Sequence, residues 1–173
     1  IPIVAYNYGA QNRRRMMETI KRGTLYASCI MVLGVIIFWA IPGPLLKIFD
    51  ATDTMLQVGV PALRIISLSF CMAGACIALG SSFQALGKAV YSMTTSIIRQ
   101  LVFLVPIAYV LARYGHSIGN DDLVWWSYPL AEIASLLVTL VFFRRLYRTL
   151  IAPLPASGGA PVRDDSDDDP IGV

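Results

Sequence analysis

Two side chains stand out because of where their charge falls. Glu132 is the one charged residue between Leu123 and Phe143, and Arg99 the one between Ser92 and Ala112. A carboxylate in an apolar helix of membrane-spanning length can take up and release a proton if water reaches it. Otherwise it is a neutral or hydrogen-bonded group that fixes helix packing, and burying it as a charge costs at least about 2.5 kcal/mol on insertion scales. Both readings stay open for Glu132. For Arg99, three turns beyond Lys88, the reading taken is structural, with the long side chain reaching back to the membrane surface.

No constellation for covalent or metal chemistry accompanies them. Cys29, Cys71 and Cys76 lie inside apolar stretches and read as small packing residues. Cys71 and Cys76 are separated by about 140° around a helix, so they do not face each other. The one histidine, His116, sits in the polar stretch "GHSIGNDD" near Asp121 and Asp122 and reads as an unpartnered loop residue. Glycine-rich phosphate loops and a serine or cysteine beside a base are absent from the sequence. The spacing Asp165-x-Asp167-x-Asp169 begins like a calcium loop, but Pro170 stands where glycine is required and no glutamate closes it. An enzyme and a resident metal are therefore not expected.

The elements that position Arg99 and Glu132 follow from composition and charge placement. The chain of 173 residues is 56% apolar and only 14% charged, with a mean hydropathy of +0.63. Soluble domains run near a quarter charged. Thr24–Ile41 and Ile65–Gly87 carry no charge at all, and a helix needs about 20 apolar residues to cross the hydrocarbon. Four spans are expected, near 21–41, 62–86, 91–112 and 123–145, in an all-α polytopic membrane helix bundle.

The connections alternate in charge. Arg13, Arg14, Arg15, Lys21 and Arg22 precede the first span, Asp50 and Asp53 follow it, and Lys88 marks the next turn. Asp121 and Asp122 come next, and Arg144, Arg145 and Arg148 end the last span. Basic connections stay in the cytoplasm, so the arginines Arg13–Arg15, Arg144 and Arg145 read as topology anchors that place both ends there. A nucleic-acid partner is not expected of them.

Local signals complete the organisation. Asn7-Tyr8-Gly9-Ala10 should break an opening helix, and Pro42-Gly-Pro44 should end the first span. A short interfacial helix is expected before Pro61, with Thr54-x-x-Gln57 as its capping box. Trp39, Trp125 and Trp126 fall at the expected outer ends, near Arg64 and Arg113. Gly74, Ala78 and Ser82 form a small-residue face for close helix approach, and Pro106 and Pro129 should introduce kinks. Residues 1–150 form the membrane unit, and the proline-, glycine- and aspartate-rich 151–173 should be a disordered acidic tail. The start at Ile1, directly in a helix-like segment, reads as the C-terminal piece of something longer.

Three stretches carry a family resemblance. "PIVAYNYGAQNRRRM" resembles the signature P-x-x-x-Y-N-Y-G-A-x-N-x-x-R closing the eighth helix of multidrug and toxic compound extrusion (MATE) transporters. "FQALGKAVYSMTTSIIRQLVFLVPIAYVL" is similar to the family's turn between helices ten and eleven, and "VWWSYPLAE" to the start of its twelfth helix. The resemblance implies the end of helix eight plus helices nine to twelve, most of the C-terminal lobe of a twelve-helix protein with two lobes. It implies an antiporter in the plasma membrane that exports cationic or amphiphilic organic compounds in exchange for H⁺ or Na⁺, with no cofactor beyond the coupling ion. Its partners would be the bilayer and an N-terminal lobe that the sequence lacks. Tyr6, Asn7, Arg99, Gln100 and Glu132 would then border the substrate or ion pathway. Ile65–Gly87 holds no acid, a departure from the NorM-like branch with its coupling carboxylate on helix ten, whereas Tyr6-Asn7-Tyr8 resembles the MepA- or DinF-like branches, which implies coupling through the other lobe. A lipid-linked sugar flippase of the same superfamily and a non-transporting scaffold are the alternatives.

Overall fold

The computed structural model describes residues 1–156, and all of its regular structure is helical. Helix α1 (Pro2–Gly9) leads through a tight corner into α2 (Arg13–Ala40), and α3 (Pro42–Lys47) is a short turn after it. Then come α4 (Asp53–Ser67), α5 (Phe70–Ala85) and α6 (Ala89–Ile97). A π-helical stretch, Ile98–Leu104, joins α6 to α7 (Val105–Ile118). A 3₁₀ stretch, Asp121–Trp126, opens α8 (Ser127–Leu146), and a π turn, Tyr147–Ile151, closes it.

Three of the resulting rods are long and apolar enough to cross a membrane: Arg13–Ala40, Ala89–Ile118 and Asp121–Ile151. The expected second span is different. Its helix begins at Asp53, not 62, and α4 and α5 meet at a 50° bend, so they form either one broken crossing or a re-entrant pair. Two buried hydroxyls supply a cause. Ser67 Oγ donates to the Arg64 carbonyl at 2.9 Å and Ser69 Oγ to the Ile66 carbonyl at 2.6 Å. Such back-bonds compete with the α-helical ladder and bend it, and Pro61 inside α4 has already removed one N–H from that ladder. The helix expected before Pro61 therefore continues through it to Ser67. Its residues are the first half of this bent pair, capped by Thr52, whose hydroxyl accepts from the Met55 N–H, and not by Thr54.

The triple arginine also sits differently from the loop expected of it. Asn12 accepts the Arg15 N–H at 3.0 Å and so caps α2, which makes Arg13–Arg15 its first turn. Straight-chain arginine, methionine and glutamate are good helix formers. A helix of 28 residues is about 42 Å long at 1.5 Å per residue, more than the ~30 Å hydrocarbon, so its charged start can project beyond the apolar layer. The break before it comes later than expected: Asn7, Tyr8 and Gly9 are still helical, and the corner falls at Ala10–Asn12 with Gln11 at φ 51°.

His116 belongs to the last turn of α7, which ends at Gly119 with φ 69°. His116 Nδ1 is 4.0 Å from Asp121 Oδ1, with both side chains almost fully exposed, so the contact is weak. Pro106 follows the π stretch directly inside a rod that continues to Ile118, and Pro129 falls in the first turn of α8, where a missing N–H is tolerated.

Packing is densest where the basic ends of the rods converge. Met16, Phe83 and Ile151 are fully buried there, with Val4, Ile20, Leu79, Leu86 and Leu146 around them. Phe83 stacks at 6.4 Å from both Tyr91 and Phe143. Along the small-residue face, a Cβ on Gly74 would lie 2.8 Å from Met31 Cγ and 3.4 Å from the Ala27 carbonyl, so α5 packs closely on α2. Order continues into the segment read as tail: Ile151 is in this core, and Pro155 and Ala156 accept backbone hydrogen bonds from Arg13 and Arg14. The aspartates rejected as a calcium loop lie outside the described residues.

Candidate functional site

Polar residues recur at helical spacing on three neighbouring faces: Cys76, Gly80 and Gln84 on α5; Ser92, Thr95, Ser96 and Arg99 on α6 and its π extension; Glu132, Ser135 and Thr139 on α8. Residues three, four and seven apart share a helix face, so each set points one way. α5, α6 and α8 pack on one another, and all of these residues except Glu132 line a cavity of about 190 Å³, together with Ile77 and Ser81. That is room for several waters.

The hydroxyls are partly committed. Gln84 Nε2 donates to Ser92 Oγ at 3.1 Å, and Thr95 and Ser96 both donate to the Ser92 carbonyl, at 2.8 and 3.1 Å. Their remaining lone pairs are acceptors for water or a cationic group. A Cβ on Gly80 would come within 3.3 Å of Ser92 Oγ, so glycine keeps α5 close to α6 here.

Arg99 and Glu132 meet at the wall of this cavity, Nη1 to Oε1 at 3.2 Å. The glutamate side chain is 12% exposed and the arginine 31%. Glu132 Oε2 and Thr139 Oγ1 are buried with no hydrogen-bond partner, and a buried unpaired acceptor is costly enough to call for an explanation such as water or an ion. Arg99 is the second residue of the π stretch, a conformation rare in helices and frequent at functional sites. Pro106, just beyond, lacks the N–H that an α-helical ladder needs.

Of the sequence-level candidates, then, the structure brings Glu132 and Arg99 together. Arg99 engages Glu132 and itself lines the cavity, which Glu132 does not. Gln100 is exposed and lines no part of the cavity. Tyr6 and Asn7 are on α1. Tyr6 is exposed, while Asn7 is buried and donates to the Ile3 carbonyl at 2.8 Å. Both border a different cleft, with Arg15 and Glu18. The anchors Arg13, Arg14, Arg15, Arg144 and Arg145 gather at the basic end, and Arg13 Nη1 donates to the Ala152 carbonyl at 2.9 Å. Among the described residues no cluster of three metal-ligating side chains occurs.

Thr95, Ser135, Thr139 and Cys76 escaped the sequence reading. Glu132, Ser135 and Thr139 at i, i+3 and i+7 in an apolar helix were the available signal, and Cys76, read as packing, in fact borders the cavity beside Thr139 and Ser135.

The MatE family model matches residues 1–110 of the 173. The match takes in Arg99 and the α5 and α6 walls of the cavity, whereas Glu132, Ser135 and Thr139 lie beyond it. No curated protein and no solved structure matches the chain. A family model covering more than half of the chain, on an all-helical fold with several membrane-length apolar rods, leaves one conclusion: the chain belongs to the MatE family and is a multi-pass membrane transporter of that superfamily.

Proposed function

We propose that the chain forms one lobe of a two-lobe antiporter that exports cationic or amphiphilic organic compounds in exchange for H⁺ or Na⁺, with its basic helix ends in the cytoplasm. The observation that carries this is the Arg99–Glu132 pair at the edge of a hydroxyl-lined cavity, with Glu132 Oε2 unpartnered. A charge pair inside a membrane is retained where it serves a pathway or a moving contact. In this reading the two charges neutralise each other when the cavity is empty. A cation entering the cavity competes with Arg99 for the carboxylate, and releasing Arg99 changes how the π stretch sits against α8. Alternating access then needs a second lobe to rock against. The absence of an acid from α5 supports placing the principal coupling acid in that other lobe, as in the MepA- or DinF-like branches.

The test is dye efflux by the two-lobe protein carrying Glu132→Gln. Glutamine keeps the shape and hydrogen bonding but removes the charge. Export of cationic dyes per amount of folded protein should fall several-fold and lose most of its dependence on pH. Efflux and pH response equal to the parent would take Glu132 out of the mechanism.

A further inference from the structure

The N-terminus of α2 has the opposite charge to the one its dipole favours. A helix N-terminus carries roughly +0.5 of a charge and is stabilised by acids, yet α2 opens on Arg13, Arg14 and Arg15 with no acid in its first turn. Among the described residues Arg13, Arg14, Arg15 and Lys21 take part in no ion pair, and the one nearby acid, Glu18, is engaged by Arg22. Arg13, Arg14, Lys21 and Arg22 border a cleft of about 650 Å³ that also touches Tyr147 and Ala156. A second, of about 370 Å³, runs between Arg14, Arg15 and Ala156.

The chain is led to this place by hydrogen bonds. The Arg13 N–H donates to the Pro155 carbonyl at 3.2 Å and the Arg14 N–H to the Ala156 carbonyl at 3.3 Å. These satisfy two of the N–H groups that a helix start leaves without partners. Ala156 thus borders both basic clefts.

We propose that the acidic segment Asp164–Asp169 of this same chain docks in the basic cleft at the start of α2. The segment lies outside the described residues, and the inference rests on the cleft, on where the chain enters it, and on charge. Asp164, Asp165, Asp167, Asp168 and Asp169 stand against one cation, Arg163. The eight steps from Ala156 to Asp164 reach up to about 27 Å, while Arg13 to Lys21 spans about 12 Å of helix axis, so every cation of the cleft is within range. Carboxylates there complement both the side chains and the helix dipole, and they staple the end of the last span to the start of the first. The contact is exposed and is therefore weakened by salt.

The sequence holds lysines only at 21, 47 and 88, which makes zero-length carbodiimide coupling a map of the contact. The full chain in phosphatidylcholine nanodiscs should yield amide links from the 164–169 aspartates to Lys21. They should be several-fold more abundant than links to Lys88, which sits at the same end, two residues from Leu86 of the shared core. Raising salt from about 0.05 to 0.5 M should reduce the yield several-fold, as should Arg14→Glu. Equal coupling to Lys88, or a yield indifferent to salt and to Arg14→Glu, overturns the proposal. Loss of the link in phosphatidylglycerol nanodiscs overturns it too, since a lipid phosphate would then be the occupant.

Discussion

Arg99 and Glu132, 33 residues apart in the chain, meet at 3.2 Å across the interface between the π stretch and α8. Neither is fully enclosed, and one carboxylate oxygen has no partner. The pair is therefore satisfied enough to be tolerated in the bundle and incomplete enough to respond to a cation or water.

Removing one member should be worse than removing both. Arg99→Gln leaves a buried carboxylate without its countercharge, and Glu132→Gln leaves the guanidinium. Each should cost about 1–2 kcal/mol, the upper range for polar contacts between helices in membranes. The double variant should recover at least half of that, because no uncompensated charge remains. Thermal midpoints of the purified variants measure this. A double variant as unstable as the sum of the singles would mean that the two charges are not coupled.

The bend between α4 and α5 should depend on two hydroxyls. Ser67→Ala with Ser69→Ala removes both bonds to the Arg64 and Ile66 carbonyls, so the 50° angle should open. Spin labels at the exposed positions Met55 and Ile77 should move apart. An unchanged distance would assign the bend to Pro61 and to packing instead.

Two glycines separate tight from tolerant close approach. At Gly115 a Cβ would lie 2.5 Å from the Asn120 carbonyl, a backbone atom that cannot turn aside, whereas at Gly80 it meets only the Ser92 hydroxyl at 3.3 Å. Gly115→Ala should lose about 1–3 kcal/mol by overpacking. Gly80→Ala should stay within about 1 kcal/mol of the parent, since alanine's helix propensity offsets the contact. Thermal midpoints with the reverse ranking would contradict these positions.

Cysteines placed at Asn12 and Ser117 should lie on opposite sides of the membrane if the basic ends are cytoplasmic. An impermeant thiol reagent outside intact cells should label Ser117→Cys and spare Asn12→Cys. The opposite pattern would invert the bundle.

Much of the architecture is written in one dimension. Uncharged runs of membrane length and alternating loop charge suffice to define an all-α membrane bundle, because hydrocarbon solvates neither charges nor unpaired backbone. The turn at Gly87 and the break after Gly9 were legible too, since glycine and asparagine favour such corners. What happens inside a span was not. The break at Ser67–Ser69 and the helical start of α2 depend on hydroxyl back-bonds and on a cap, which compete with the ladder by margins that hydropathy does not register. Glu132 and Arg99 were visible singly as misplaced charges, but their pairing was not. It depends on how the π stretch after α6 and helix α8 are rotated against each other, which neither hydropathy nor spacing encodes. Residue types and spacing thus determined which side chains must find partners in the bilayer. Tertiary packing alone decided which partners they found.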